Sequence, residues 1–316
     1  MVGEHDLRIG PSVARPVGSA PEDAVTPTLA ALVALRRSVA GRRPARQGRH
    51  GQAGAASSPL RGRGMEYAES REYAAGDDAR HIDWRLTART GRAHTKLYQA
   101  ERDRLTLIVA DTAPALYFGT RLRFKSVQAA RAGAVAAWWA LADGDRIAAM
   151  RGSLREAPIA PAGGVHAVMR VLDALRRWYT EPPADDAGLA LALEHASRVL
   201  RPGSRLVVMA DPASVLGVDA ARWSALARHR EVIVLLPVDR VEQLPPMARL
   251  PFALHGGRVD LDLRGAAQRA QWAAAFSVPL AEAVARISAS GARAVELPAD
   301  ADSASWLPAT RQGEVA

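Results

Sequence analysis

The chain has 316 residues, 48% of them apolar and 24% charged, a profile of one large folded domain or of one domain with an appendage. It contains no cysteine, which excludes disulfides, thiolate metal sites and thiol catalysis. The formal net charge is +9, and Arg36 to Arg63 holds no acidic residue, so a solvated basic linker competes with a docking segment for an acidic partner.

The opening residues have no signal-peptide core and no run is apolar for a membrane-spanning length, so a cytoplasmic protein is expected. Residues 1–25 are polar and aperiodic and read as a loose tail. From Thr26 to Ala40, Leu29, Leu32, Val33 and Leu35 recur at helical spacing, with Thr26 as cap, Pro27 at the first helical position and Gly41 as terminator. The helix and a basic linker fill 26–63. Residues 64–104 mix both signs of charge with aromatics and form a strand-rich elaboration; Gly76 and Gly91 mark its turns and Ala93 to Gln99 alternates like a strand.

After Arg104 the pattern changes. Leu105 to Ala110, Leu206 to Ala210 and Val232 to Leu236 are continuous apolar runs, as strands covered on both faces require. Helical stretches lie between them at 125–142, 165–179, 189–200 and 220–229, with further strands at 146–150 and 292–297. This alternation predicts an α/β domain over 105–298, a doubly wound and mostly parallel sheet. Pro279 divides or kinks the helical stretch 264–290, and residues 299–316 read as a second loose tail.

In such a sheet ligands bind beyond the carboxyl ends of the strands. Asp111 and Asp211 each follow an apolar run there, either as a paired-carboxylate metal site or as caps that order loops by accepting backbone N–H groups. No phosphate-binding glycine loop is present, so ATP hydrolysis has to come from another protein.

The run from Gly64 to Thr120 resembles the domain of unknown function number 58 family, whose members have a von Willebrand factor A-like fold. The resemblance rests on Gly64, Glu66, Arg71, Tyr73, Gly76, Asp77, Asp78, Arg80, Ile82, Asp83, Trp84, Ala88, Arg89, Glu101 and Arg102. It implies a non-enzymatic adaptor working with a MoxR-type AAA+ ATPase on an unknown client protein. The fold's metal-ion-dependent adhesion site uses an Asp-x-Ser-x-Ser loop. The matching loop here reads Asp111, Thr112, Ala113, Pro114, Ala115, so both hydroxyls are missing, and no Thr stands near 185–188 to supply the second-loop ligand. A degenerate site is expected, with no metal and no cofactor, and its rim of Asp111, Thr112, Ala113, Ala115 and Asp211 is the docking surface.

Two other readings remain. The motif residues Arg71 to Glu101 are expected to form a structural or interface network of arginines and carboxylates around a buried Trp84. A hydrolase would instead use His81 as base with Asp83 orienting it. A nucleic-acid binder would use Arg36 to Arg63, but that segment lacks the aromatics on which bases stack.

Overall fold

A computed structural model describes residues 22–40, 65–74, 76–100, 104–254 and 257–308. The chain divides into two compact units, Met1–Arg46 together with Arg104–Ala316, and Gln47–Asp103. The elements in chain order are α1 (Leu29–Ala34), β1 (Met65–Glu72), α2 (Trp84–Thr90), β2 (His94–Ala100), β3 (Leu105–Ala110), α3 (Lys125–Ala142), β4 (Arg146–Arg151) and β5 (Ile159–Ala162). They continue with α4 (Gly164–Trp178), α5 (Gly188–Val199), β6 (Arg205–Met209), α6 (Pro212–Leu216), α7 (Ala220–Ala227), β7 (Glu231–Val238) and α8 (Arg240–Gln243). The last are β8 (Arg249–Leu254), β9 (Gly257–Asp262), α9 (Ala266–Ala275), α10 (Ser277–Ala289) and β10 (Arg293–Pro298).

The larger unit holds a six-stranded sheet in the order β10-β7-β6-β3-β4-β5, parallel except for β5. From β3 the chain winds outward to β4 and β5, then returns to lay β6, β7 and β10 on the other side. The switch point therefore falls between β3 and β6, which places Asp111 and Asp211 side by side. Alternation along each strand fills both faces. On β3, Ile108 and Ala110 join α3 and α4 in one core, while Leu107 and Val109 join α5, α7 and α10 in the other. The apolar runs are continuous because both faces are covered.

At the amino ends of the strands Arg205 is almost wholly buried. It bonds Asp143 at 3.0 Å and Glu231 at 2.9 Å and lies 3.4 Å from the centre of the Trp139 ring. Thr106 and Arg104 complete this cluster through Asp145. The cluster ties four chain segments together on the side of the sheet remote from the switch point.

Several expectations need correction. The first helix is capped by Thr28, not Thr26: its Oγ1 accepts from Ala31 N at 3.3 Å and the helix runs from Leu29 to Ala34. Leu32, Leu35 and Val39 are buried in the main core, and Trp138 Nε1 donates to Leu32 O at 3.1 Å, so this segment belongs to the sheet unit rather than to a linker. The tail boundaries also move toward the termini. Ala24 is buried and its carbonyl accepts from Phe124 N at 2.8 Å. Trp306 is 1% exposed and packs edge-on against Trp139 at 5.8 Å, so residues 299–308 are part of the core; two large apolar side chains, Trp306 and Leu307, supply the burial that the polar composition concealed. Residues 1–21, 309–316 and most of the basic segment, 41–63, lie outside the described residues.

Pro279 does divide the helical stretch, but the break falls at Phe276, leaving Pro279 in the first turn of α10 where no N–H is needed. The hairpin of β8 and β9 had no strong signal in the sequence. Among the described residues no helix is long and apolar enough to cross a membrane.

The smaller unit is an antiparallel pair, β1 with β2, carrying α2 in its connection. Asp83 starts α2 by accepting from Arg85 N and Leu86 N, and Gly91, at φ +72°, ends it.

Candidate functional site

Three neighbouring strands end in aspartate: Asp111 after β3, Asp211 after β6 and Asp239 after β7. Each carboxylate holds backbone. Asp111 Oδ2 accepts from Asp211 N at 2.9 Å and its Oδ1 from Ala113 N at 3.2 Å. Asp211 caps α6 through Ala213 N at 3.0 Å. Asp239 caps α8 through Val241 N at 2.9 Å and accepts from both the N–H and the hydroxyl of Thr120. Of the two roles open to Asp111 and Asp211, the structure assigns them the capping one.

A cation already lies among these carboxylates. Lys125, the first residue of α3, is 2% exposed, and its Nζ is 2.6 Å from Glu242 Oε1 and 3.7 Å from Asp211 Oδ2. Burial works against its charge, but Glu242 and Asp211 outweigh it and hold the Lys125 pKa above its ordinary value. Asp111 behaves in the opposite way. Burial, opposed by the hydrogen bonds from Asp211 N and Ser214 and reinforced by the charges of Asp211 and Asp186, raises its pKa to about 7.

The rim loop is not extended throughout. Pro114 to Leu116 forms a 3-10 turn that carries Ala115 out to the surface, while Ala113 stays half-buried. Thr112 Oγ1 is buried without a hydrogen-bond partner. In the second loop Asp185 is held by Arg151 NH2 and Ser153 Oγ, each at 2.6 Å, and Gly152 lets that loop close in. A Cβ at Gly152 would lie 2.1 Å from Gly188 O. Tyr117 and Tyr179 line the same region; Tyr117 donates to Trp178 O at 2.6 Å. Burial first, and then the nearby aspartates, push both phenols up.

The residues do not fit an octahedral cation. Both Asp111 oxygens accept backbone N–H groups, Ala113 and Ala115 offer no side-chain oxygen, Asp239 is taken up by Thr120 and Val241, and Lys125 already pairs with Asp211 and Glu242. Among the described residues no group of three His, Asp or Glu side chains is placed to hold a metal ion.

The motif residues of the smaller unit come together in part. Arg71 pairs with Asp77 at 2.6 Å, Tyr73 OH donates to Asp77 O, and Gly76 takes φ +107° in the turn between them. Asp77 is held below the usual carboxylate range first by Ala74 N and then by Arg71, and Asp83 first by Leu86 N. Asp78 accepts from Arg80 N. Trp84, expected at the centre of this network, is 70% exposed instead, because Asp83 starts α2 with the indole on its outer side. Arg80 and Arg89 are exposed as well. Glu101 lies outside the described residues. For the hydrolase reading Asp83 is already engaged: Oδ1 caps α2 and Oδ2 accepts from Ser70 Oγ at 3.2 Å.

Residues 69–278 match the profile of the family described as "Protein of unknown function DUF58". The chain belongs to this family. The match spans both units and includes Asp111, Lys125, Asp211 and Asp239, while Gly64 and Glu66 fall before it. Similar curated proteins are the "Uncharacterized protein Rv1480" of Mycobacterium tuberculosis (strain ATCC 25618 / H37Rv) and the "Uncharacterized protein Mb1516" of Mycobacterium bovis. Each is 29% identical over 189 residues, which is 58% of this chain. The chain thus spans 58% of the length of these relatives.

The fold of this DUF58 chain is α/β, a six-stranded and mostly parallel sheet flanked by helices. Solved structures similar to it include an aerotolerance-related membrane protein from Bacteroides fragilis NCTC 9343, 13% identical with a TM-score of 0.38, covering 64% of this chain and 94% of that one. Another is a von Willebrand factor type A protein from Catenulispora acidiphila, 16% identical with a TM-score of 0.33, covering 48% and 37%.

Three residues of this crevice escaped the sequence reading. Asp239 carried the same signal as Asp111 and Asp211, an aspartate closing an apolar run, but three residues beyond the run's expected end at Leu236. Lys125 and Glu242 carried none, since nothing in a lone lysine at a helix start shows that it turns inward.

Proposed function

We propose that the chain is a non-enzymatic adaptor, a protein-interaction module that works with a MoxR-type AAA+ ATPase in the assembly or maturation of a client protein. The observation that carries this reading is the internal pairing of Lys125 with Glu242 and Asp211 at the switch point. There, where an open α/β sheet takes its ligands, the chain's own cation fills the acidic crevice, leaving loop surface around it. Asp111, Asp211 and Asp239 fix those loops by their backbones, which gives a partner a preformed rim and lowers the entropy lost on docking. The ATPase partnership follows from the family resemblance, and the chain's lack of a phosphate-binding glycine loop agrees with nucleotide hydrolysis residing in the partner.

The test is direct binding of the purified chain to a MoxR-type ATPase encoded by the same genome, measured calorimetrically with and without ATP. Binding is expected, and Ala115→Arg, which places a bulky cation on the exposed turn of the rim, should weaken it at least tenfold. Absence of binding in every nucleotide state would remove the ATPase from the proposal.

A further inference from the structure

The outer face of α2 has no partner within the smaller unit. Trp84, Arg85, Ala88 and Arg89 are all exposed and recur one turn apart, so they form one stripe, and Arg80 is exposed on the turn just before it. Leu86 and Thr87 take the inward side. Among the described residues the carboxylates of this unit are engaged elsewhere: Glu72 with Arg92, Asp77 with Arg71, Asp83 and Asp78 with backbone N–H groups. Among the described residues the guanidinium groups of Arg80, Arg85 and Arg89 have no carboxylate partner.

An indole flanked by unpaired guanidiniums is the composition of a binding hot spot rather than of a solvated face. We propose that this stripe docks a short acidic protein segment carrying an apolar side chain, its carboxylates on Arg85 and Arg89 and its apolar residue on Trp84. Charge decides against a nucleic acid. Between Met65 and Ala100 there are six Lys and Arg and six Asp and Glu, so the stretch that carries the stripe has no net charge to attract a polyanion. Local complementarity over two turns is what a short peptide needs, and bidentate arginine–carboxylate bonds supply it. The inference goes beyond the adaptor reading by naming the partner's chemistry, and it does not require the ATPase to be that partner.

The experiment selects binders to the immobilised full chain from a displayed library of random dodecapeptides. The highest-ranked peptide is then titrated against the wild type, Trp84→Ala and the double variant Arg85→Gln/Arg89→Gln. The selected peptides should be enriched in Asp and Glu around one aliphatic or aromatic residue. Both variants should weaken binding at least tenfold at an unchanged melting temperature, and a Gln-for-Glu version of the peptide should bind as weakly. Either variant binding as the wild type does, or selected peptides without acidic enrichment, overturns the proposal. So does a single-stranded oligonucleotide that binds more tightly than the peptide and is lost in the same variants. The double variant keeps the test decisive if Trp84→Ala alters folding, and a failure here leaves the ATPase measurement unaffected.

Discussion

Lys125 Nζ lies 2.6 Å from Glu242 Oε1, joining the start of α3 to the helical turn that follows β7. Because both groups are buried, removing one leaves the other charge without a partner. Lys125→Met should cost about 3–5 kcal/mol, and adding Glu242→Gln should recover part of it. Melts of the wild type in EDTA, 1 mM Mg²⁺ and 1 mM Mn²⁺ should superimpose, since an ion bound more weakly than ~10 mM adds almost nothing at that concentration. A divalent rise in melting temperature that Asp111→Ala abolishes would make the crevice a working metal site.

Asp111 gives a pH signature. Its folded pKa of about 7 lies above the unfolded value of 3.8, so between those values the native state binds more protons than the unfolded chain. This group therefore costs nothing below about pH 4, destabilises progressively from there to pH 7, and costs on the order of 4 kcal/mol above that. The stability difference between Asp111→Asn and the wild type should move in favour of Asn across that window and level off above it. Denaturant unfolding at pH 4.5, 6 and 8 measures it; a difference independent of pH would refute the buried, proton-binding state.

Gly152 tests the second loop. A Cβ there would lie 2.1 Å from the carbonyl oxygen of Gly188, a backbone atom that cannot swing aside as a side-chain tip would. Gly152→Ala should cost about 1–3 kcal/mol, as overpacking does. An unchanged melting temperature would mean that this loop is not held against β4.

Trp306 tests the carboxyl-terminal segment. Its ring is buried against Trp139 while its Nε1 has no hydrogen-bond partner. Trp306→Ala should lose about 3–5 kcal/mol. Trp306→Phe, which removes the unpaired N–H and keeps most of the apolar area, should lose far less. Equal losses would show that the N–H is satisfied and contributes.

The sheet was legible because burial on both faces leaves continuous apolar runs, and α3 was legible to its ends, Lys125 and Ala142, because it packs on almost every side. The reading failed where a few large side chains outweigh local composition. Trp306 and Leu307 anchor a segment that is otherwise polar, and Ala24 lies in a stretch that looks like a tail. At the crevice the aspartates were visible as strand ends, but their role was not, since a cap and a ligand present the same residue type at the same place. Trp84 failed for another reason. Aromatic identity suggests burial, whereas the position is set by Asp83, which starts the helix one residue earlier.

The smaller unit is inserted between two parts of the sheet unit that pack on each other. The contact of Leu32 with Trp138 can form only after the chain from residue 41 to 103 has been closed into a loop. Its entropic cost rises by only about 0.6 kcal/mol per doubling of length, so an insertion of this size is tolerable where the returning chain buries Leu32, Leu35 and Val39.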